Sequence, residues 1–246
     1  MTSPNAVKLI KSLREKKYRQ ETKKFLVEGT KSVMELIASD YPVESVYATK
    51  DFIANNQKLL DKKNIKAQAV DSAELKAFGT LEHNDGALAI AHQKVSILPS
   101  KIEGIVLALD DIRDPGNLGT LIRIADWYGI TDIICSGTCV DWYNPKVVAS
   151  SMGSFTRVRG HYTDLPSYLK KQDAPVLGAF LGGTSVHTYA FPKNGILVIG
   201  SESHGISAQV EKLTTEKITI PRFGEAESLN AAIAGAIILD RWKSAK

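Results

Sequence analysis

Residues 110–125 read DDIRDPGNLGTLIRIA, and this stretch decides the fold. It follows residues 105–109 (IVLAL), an unbroken apolar run that predicts a strand covered on both faces in a parallel sheet. Its Pro-Gly pair predicts a turn, and the apolar stripe within residues 118–125 predicts a helix with Asn117 as its N-cap. A strand, a short polar turn and a helix form the repeating unit of an α/β domain.

Two later segments have the same arrangement. Residues 198–207 (VIGSESHGIS) and 218–234 (ITIPRFGEAESLNAAIA) each begin at the end of an apolar run and continue as a polar turn that contains glycine. The second of them also enters a helix. Because ligand sites in α/β sheets lie at the carboxyl ends of the strands, the three segments predict one shared pocket.

Strand and helix patterns alternate over the rest of the chain. In the first half, strands are predicted at residues 25–27, 43–48, 67–70 and 87–91, and helices at 7–17, 30–39, 51–62 and 72–78. In the second half, strands are predicted at 105–109, 132–135, 176–180, 196–199 and 217–220, and helices at 118–128, 145–152, 165–171 and 229–242. We therefore predict two α/β domains, residues 1–92 and 105–246, joined by a linker at 93–104.

Positive charge is concentrated near the N-terminus. The chain carries a net charge of +4, whereas its first 24 residues hold eight Lys or Arg against two Glu. A basic segment of this kind suits a polyanion such as RNA, and it is equally typical of a solvated helix face. Charge alone does not separate the two interpretations.

Composition argues against membrane and metal-bound classes. The longest uncharged apolar run, residues 231–239, is shorter than the roughly 20 residues that cross a bilayer, and the N-terminus lacks the apolar core of a signal peptide. We expect a cytoplasmic protein without a membrane segment. Cys135 and Cys139 are the only cysteines, and their spacing is not that of a zinc site, so we expect reduced thiols and no metal.

Several polar residues have both a functional and a structural interpretation. Arg123 lies off the apolar stripe, where its planar guanidinium can bind a phosphate, although an ordinary surface arginine fits the same position. His204 is a possible general base for which the sequence identifies no carboxylate partner. Ser228 precedes an uncharged helix, which predicts burial on all sides, and Ser228 either caps that helix or meets a ligand. A dinucleotide-binding fingerprint is incomplete, because the first glycine of G-x-G-x-x-G is missing.

Together, the three segments resemble the motifs of the SpoU (TrmH-like) RNA ribose 2′-O-methyltransferases, a branch of the SPOUT superfamily. The first segment matches N-x-G-T-x-x-R from residue 117 to 123, and the second matches G-x-E-x-x-G from 200 to 205. The third has an Ile-Pro turn at 220–221 and then SLN at 228–230. The N-terminal half, with its basic helix and the FLVEG strand end at 25–29, resembles the substrate-binding domain of many such enzymes.

This resemblance implies an α/β fold with a C-terminal trefoil-knotted SPOUT methyltransferase domain, preceded by a small α/β ribosomal-protein-like RNA-binding domain. It implies a homodimer that transfers a methyl group from S-adenosylmethionine to a ribose 2′-hydroxyl in RNA, without a metal. The ribosomal-protein-like domain favours ribosomal RNA over transfer RNA. The alternatives are a noncatalytic RNA-binding relative of the same fold and a nucleotide-dependent enzyme of another type.

The resemblance also assigns site residues. The catalytic set is Arg123, Asn117, Glu202, Ser228 and Asn230, in which Arg123 orients the hydroxyl while phosphate or water takes its proton. The expected cofactor-binding residues are Ala179, Gly200, Ile220 and Leu229. The basic segment is expected to bind RNA through Lys16, Lys17, Arg19, Lys23 and Lys24.

Overall fold

The computed structural model describes residues 2–81, 83–84 and 86–245, which fold into two compact units. The first unit contains the residues up to Val95 together with Asp141–Thr156, and the second contains Ser96–Val140 and the residues from Arg157 onward. One segment of the predicted second domain thus packs within the first unit. The predicted domain boundaries on either side of the linker at 93–104 remain predictions.

The first unit is an α/β structure around one mixed sheet. Its elements are α1 (Pro4–Ser12), α2 (Lys16–Thr22), β1 (Lys24–Glu28), α3 (Thr30–Ala38), β2 (Val43–Ala48), α4 (Lys50–Lys62), β3 (Ala67–Ala69), α5 (Ser72–Phe78), β4 (Ala87–His92) and α7 (Pro145–Ser150). The strand order is β1-β4-β2-β3, in which β4 runs antiparallel to β1 and β2, and β3 runs parallel to β2. The predicted strands and helices of this half are confirmed, except for the first helix.

The helix predicted at residues 7–17 is interrupted between α1 and α2. Arg19 accounts for the break, because its Nη1 atom donates to the carbonyl oxygens of Leu13 at 2.9 Å and Arg14 at 2.7 Å. A continuous helix would have used these oxygens for its own hydrogen bonds. The guanidinium therefore replaces one turn of backbone hydrogen bonding.

The same Arg19 anchors the segment Asp141–Thr156. The residue is 2% exposed, and its Nε and Nη2 atoms lie 2.8 and 2.6 Å from Asp141 Oδ2. The predicted role of Arg19 in RNA binding is wrong, because its charge is enclosed and already paired. Aromatic packing holds the segment as well. The ring centroid of Phe25 lies 4.5 Å from that of Tyr143 and 5.8 Å from that of Phe155.

The second unit is built on a parallel sheet of six strands among the residues described. Its elements are β5 (Ile105–Asp110), α6 (Pro115–Trp127), β6 (Asp132–Ser136), β7 (Arg159–Thr163), α8 (Leu165–Leu169), β8 (Val176–Ser185), β9 (Gly195–Gly200), α9 (Ala208–Glu211), β10 (Glu216–Thr219) and α10 (Ala231–Ser244). The strand order is β10-β8-β9-β5-β6-β7, and every pair is parallel. The central strands β5 and β9 are almost wholly buried, as their apolar runs predict.

The caps of the two helices that face the predicted pocket differ from expectation. Asp114, not Asn117, caps α6: its Oδ1 accepts the amide of Asn117 at 2.8 Å, and a proline fills the first helical position. Asn230, not Ser228, caps α10, and its Oδ1 accepts two backbone amides of the first turn at 2.9 and 3.3 Å. The side-chain amides of Asn117 and Asn230 are therefore free for other contacts.

Helices α6 and α10 pack side by side and in the same direction. Gly235 faces Leu121, where an added methyl group would lie 3.0 Å from Cδ2, and the hydroxyl of Tyr128 lies 3.2 Å from Asp240 Oδ1. The expectation that α10 is buried on all sides is wrong for the single chain. Its Ile233 side chain is 50% exposed, because α10 has a helix on one side only and leaves an apolar face uncovered.

Neither a membrane-spanning helix nor a metal-binding cluster occurs among the described residues. In that part of the chain, no helix is long and apolar enough to cross a membrane. Nor do three or more His, Cys, Asp or Glu side chains lie close enough together there to hold a metal ion. Cys135 and Cys139 are buried free thiols.

We predict that Asp141→Ala lowers the free energy of unfolding by about 3–5 kcal/mol, because it leaves the buried Arg19 charge without a counterion. Urea-induced unfolding followed by circular dichroism measures this loss. Asp40→Ala is the matched control, since the Asp40 side chain is 84% exposed and pairs with Lys94 at the surface. Such pairs contribute about 0–1 kcal/mol. Equal losses in the two variants would contradict the anchoring role of Asp141.

Candidate active site

The three sequence segments begin at the carboxyl edge of the second sheet, which is the side where its parallel strands end. Strand β5 ends at Asp110, β9 at Gly200 and β10 at Thr219, and all three run parallel within the sheet. The loops that follow them therefore leave from the same edge. This edge is where α/β sheets bind their ligands.

The loop after β9 is a tight turn closed by its own backbone. Ser201 donates its amide to the carbonyl oxygen of Gly205 at 3.0 Å, and Gly205 returns the bond at 2.9 Å. Gly205 has a φ of 67°, which favours glycine. A Cβ atom on Gly200 would lie 2.1 Å from the carbonyl carbon of Gly205, so no side chain fits there. The turn presents Glu202, Ser203 and His204 at its tip.

A partly buried hydrogen bond joins the end of β5 to the residues that follow this turn. Asp110 is buried, and its Oδ2 accepts the amide of Ser207 at 2.8 Å. Asp111 has a φ of 63°, and its Oδ1 accepts a hydrogen bond from Arg113 Nε at 2.8 Å. Asp111 thus adopts a backbone conformation that is uncommon outside glycine. Such conformations persist where the surrounding contacts enforce them.

Two side chains near the end of β6 support the first loop from below. Ser136 Oγ accepts the amide of Asp111 at 3.0 Å, and Cys139 Sγ accepts the amide of Ile112 at 3.3 Å. A hydrogen bond with Cys135 is the largest influence that lowers the pKa of Cys139 to about 7, and burial opposes it. The same contact and burial raise the pKa of the Cys135 thiol. Sequence spacing excluded zinc but gave no signal for this supporting role.

One hydrogen-bonded cluster joins the three loops. The side-chain amide of Asn117 donates to Glu202 Oε1. The amide of Asn230 donates to Asn117 Oδ1 at 2.8 Å and lies 3.0 Å from the same Glu202 oxygen. Three of the predicted catalytic residues, one from each segment, therefore meet in space.

The other two predicted catalytic residues do not join this cluster. Arg123 is exposed on α6, and within the described part of the chain no hydrogen bond or ion pair involves its guanidinium. Ser228 is exposed in the loop before α10, again without a hydrogen-bond partner among the described residues. Both side chains are accessible to a ligand, and their catalytic roles remain predictions.

Three of the four predicted cofactor-binding residues lie on or directly after three neighbouring strands, and the fourth, Leu229, lies in the loop before α10. Strand β8 stops pairing with β9 after Gly178, and its pairing with β10 resumes only at Thr184, so Ala179 begins a bulge at the edge. Gly200 ends β9, and Ile220 directly follows β10. Leu229 is 47% exposed immediately before the cap of α10.

This edge fits the cofactor that the resemblance implies. Large apolar side chains are exposed nearby, namely Leu181 in the bulge of β8 and Phe223 and Leu229 in the loop before α10. Ligand sites typically combine apolar walls with a few well-placed polar groups. A nucleoside with an apolar face and polar edges suits such a surface.

A cavity of about 120 Å³ lies between the first and second loops. Its lining residues are Asp111, Ile112, Arg113, Asp114, Asn117, Ser201, Glu202 and Ser203. Beside it, Ser203 Oγ lies 2.7 Å from His204 Nδ1. Sequence analysis did not assign roles to Asp111, Arg113 and Ser203, although all three lie within the motif segments.

A larger cavity, of about 480 Å³, lies in the first unit but contains none of the predicted site residues. Its lining includes the carboxylates of Asp51, Asp71 and Glu74. Asp71 caps α5 through a hydrogen bond from the amide of Glu74 at 2.7 Å, so this carboxylate has a structural role. The motif segments make the smaller cavity the better candidate for chemistry.

Comparison with known proteins agrees with this geometry. The model of the SpoU rRNA methylase family matches residues 104–240, and that of the MRM3-like substrate binding domain matches residues 4–89. The chain is 31% identical over 237 residues to the Bacillus subtilis (strain 168) 23S rRNA (guanosine(2553)-2'-O)-methyltransferase RlmP. That alignment covers 95% of this chain and 94% of the relative.

Two solved structures are similar over nearly the whole chain. A Porphyromonas gingivalis protein described as an RNA methyltransferase of the TrmH family is 35% identical, with a TM-score of 0.86 and 98% coverage of both chains. The AdoMet-bound rRNA methyltransferase of Sinorhizobium meliloti is 26% identical, with a TM-score of 0.87 and coverage of 99% of this chain and 97% of that one. The α/β fold expected from the sequence is therefore confirmed.

Proposed function

This chain belongs to the SpoU rRNA methylase family, and we propose that it transfers a methyl group from S-adenosylmethionine to a ribose 2′-hydroxyl of ribosomal RNA. The cluster of Asn117, Glu202 and Asn230 carries this proposal, since it joins one residue from each of the three motif loops. The Bacillus relative is named for 2′-O-methylation of 23S rRNA, and the Sinorhizobium structure is described as AdoMet-bound. A noncatalytic relative would have no need to keep this constellation complete.

The chain's own residues bind and align the reactants. S-adenosylmethionine supplies an electrophilic methyl group on a sulfonium. The proposed cofactor-binding residues are Ala179, Gly200 and Ile220, at or just after three neighbouring strands, and Leu229, in the loop before α10. Arg123 binds the phosphate next to the target ribose through its two-pronged guanidinium and orients the hydroxyl. Alignment of the hydroxyl oxygen behind the methyl carbon is the main requirement of such a transfer.

The remaining catalytic residues position the loops. Glu202 and the amides of Asn117 and Asn230 fix the distances between the three loops, and Ser228 lies just before this cluster on an exposed turn. Because Arg123 has no partner among the described residues, substrate phosphate is free to take its hydrogen-bonding groups. A guanidinium stays protonated in proteins, so Arg123 cannot itself take the hydroxyl proton.

We predict that Arg123→Ala lowers methyl transfer by at least about 100-fold, or about 2.7 kcal/mol, while S-adenosylmethionine binding and thermal stability are unchanged. Arg123→Lys should fail nearly as badly, because an ammonium does not reproduce the two-pronged contact. Incorporation of labelled methyl into unmodified 23S rRNA measures activity, and calorimetry measures cofactor binding. Arg241→Ala, an exposed arginine near the end of α10, is the control. Activity of Arg123→Ala within about threefold of wild type would remove Arg123 from the mechanism.

The first unit supplies RNA contacts from its basic helix. Lys16, Lys17 and Lys23 are exposed and free to meet phosphate. Lys24 is half-buried, and its Nζ lies 2.6 Å from Glu44 Oε2, so part of its charge is already neutralised. Because Arg19 is buried, the proposed RNA-binding residues are the three exposed lysines.

We predict that the triple variant Lys16→Glu, Lys17→Glu and Lys23→Glu weakens rRNA binding. It should also make the plot of log affinity against log salt concentration shallower by about 2 units of slope, because fewer phosphate contacts release fewer counterions. Filter binding over a range of salt concentrations measures both effects. The control triple variant has the same change of charge on exposed lysines elsewhere in the unit, at Lys58, Lys62 and Lys66. Equal weakening by both triples would mean that net charge alone, not the basic helix, attracts the RNA.

The homodimer is also part of the proposal. Trp127 on α6 is 84% exposed and Ile233 on α10 is 50% exposed, and the two helices pack together, so each helix leaves a large apolar side chain uncovered. Exposed apolar surfaces of this kind mark interaction sites. A second copy of the chain, packed through the same surface, would cover both side chains in a symmetric contact.

We predict that Ile233→Glu combined with Trp127→Glu converts the dimer to a monomer, because carboxylates would be buried at the contact without partners. Analytical ultracentrifugation over a range of concentrations measures the assembly state. Val95→Glu is the control, since Val95 is 96% exposed but lies away from α6 and α10 in the sequence. A wild-type monomer at all concentrations, or a dimer that survives both substitutions, would contradict this interface.

The class of RNA, the cellular location and the knot belong to the proposal as well. The Bacillus relative is named for 23S rRNA, which supports ribosomal over transfer RNA. We propose a cytoplasmic location as well, and the trefoil knot remains the expectation for the second unit. Mapping of 2′-O-methyl groups in RNA from cells with and without the gene would identify the nucleotide.

A further inference from the structure

We propose that Arg113 binds a second backbone phosphate of the RNA substrate, beside the cavity between the first and second loops. Arg113 belongs to the loop after β5 and lines this cavity together with Asn117 and Glu202 of the hydrogen-bonded cluster. This inference rests on the proposed function, because the phosphate belongs to the RNA that is methylated. It adds a substrate contact to the one assigned to Arg123.

One side of the Arg113 guanidinium is held by the protein and the other side is open. Its Nε donates to Asp111 Oδ1 at 2.8 Å. Within the described part of the chain, no hydrogen bond or ion pair involves its Nη1 and Nη2 atoms, and the side chain is 75% exposed. The two Nη atoms therefore present donors to solvent, in the planar arrangement that binds two oxygens of a phosphate.

The carboxylate of Asp111 orients this guanidinium. Burial raises the pKa of Asp111, but hydrogen bonds from Arg113 and Thr138 outweigh it, and the net pKa is lowered. Asp111 is therefore an ionised partner at neutral pH, which strengthens its contact with Nε. An arginine that is already oriented loses less side-chain freedom when it binds a ligand.

The backbone around Asp111 is itself held in place. Asp111 has a φ of 63°, and its amide donates to Ser136 Oγ at 3.0 Å. The next amide, that of Ile112, donates to Cys139 Sγ at 3.3 Å. Backbone conformations that are uncommon outside glycine persist where contacts enforce them, and they occur preferentially at functional sites. The contacts from the end of β6 thus fix the residue that orients Arg113.

The carboxylates of the cavity lining are engaged by donors of the protein. Asp111 accepts Arg113 Nε, Asp114 Oδ1 accepts the amide of Asn117 at 2.8 Å, and Glu202 Oε1 accepts the side-chain amide of Asn117. Arg113 is the one basic residue among those that line the cavity. The carboxylates disfavour a phosphate within the cavity, so the contact lies on the solvent side, where the Nη atoms are open.

Arg113 and Arg123 are placed for different phosphates. Arg123 is nine residues beyond the cap Asp114, which corresponds to about 13 Å along the axis of α6. Arg113 precedes this cap, and its bond to Asp111 holds the guanidinium at the start of the helix. Two separate phosphate contacts would fix the direction of the RNA strand along α6, which a single contact does not.

The first test measures binding of an unmodified 23S rRNA transcript by filter binding over a range of salt concentrations. Arg113→Ala should bind about tenfold more weakly, and its plot of log affinity against log salt concentration should be shallower by about 0.7–0.9 units of slope, because one phosphate contact is lost. Arg113→Lys should keep the slope but bind about threefold more weakly, because an ammonium keeps the charge without the two-pronged contact. Arg241→Ala, at an exposed arginine near the end of α10, is the control and should match the wild type.

The second test identifies the phosphate. The same transcript is lightly ethylated at its phosphates with ethylnitrosourea, and the molecules that bind are separated from those that do not. At one position, ethylation should weaken binding to the wild type but not to Arg113→Ala, because the partner of that phosphate is already absent. Arg123→Ala should become insensitive at a different position, and Arg241→Ala should keep the wild-type pattern.

The outcomes separate this inference from the proposed function. A wild-type salt slope and ethylation pattern in Arg113→Ala, or an equal loss in Arg241→Ala, would overturn the phosphate contact. Weaker S-adenosylmethionine binding with unchanged rRNA binding would overturn it as well, because Arg113 would then contact the carboxylate of the cofactor. A wild type that binds the rRNA but methylates none of it would overturn the proposed function instead, since neither binding test depends on methyl transfer.

Discussion

A single carboxylate oxygen, Glu202 Oε1, holds the active-site edge together because it accepts the side-chain amides of both Asn117 and Asn230. Each amide belongs to the first turn or the cap of a helix, so the contact fixes where α6 and α10 begin relative to the turn after β9. The N-termini of two helices, each with a partial positive charge, thus lie beside one carboxylate. The parallel packing of α6 against α10 follows from this common origin.

The sequence identified the centre of the second unit well and its periphery less well, for one physical reason. Strands β5 and β9 are covered on both faces, so their apolar runs identify them without knowledge of their neighbours. Strand β7 (RGHYT) lies at the sheet edge with β6 as its neighbour and has a polar sequence, so no periodic pattern predicted it. The sequence predicts a cap at Asn117 because a helix cap and a donor between two loops can be the same residue type, and only the folded structure distinguishes the two roles.

Charge counting failed at Arg19 for a related reason. A sum over residues 1–24 treats each basic side chain alike, but Arg19 pairs with Asp141, which lies 122 residues further along the chain. Long-range partners of this kind leave no local signal. The exposed lysines near Arg19 remain proposed RNA-binding residues. Lys24 is less available to RNA because it forms an ion pair with Glu44.

The Asn117–Glu202 contact also bears on the position of Arg123. A guanidinium stays protonated in proteins, so Arg123 can bind phosphate and orient the 2′-hydroxyl but cannot receive its proton. Arg123 lies on α6, and the contact between Asn117 in the first turn of that helix and Glu202 joins α6 to the turn after β9. Loss of this contact would therefore release the helix that carries Arg123 from that turn, even with the Arg123 side chain intact.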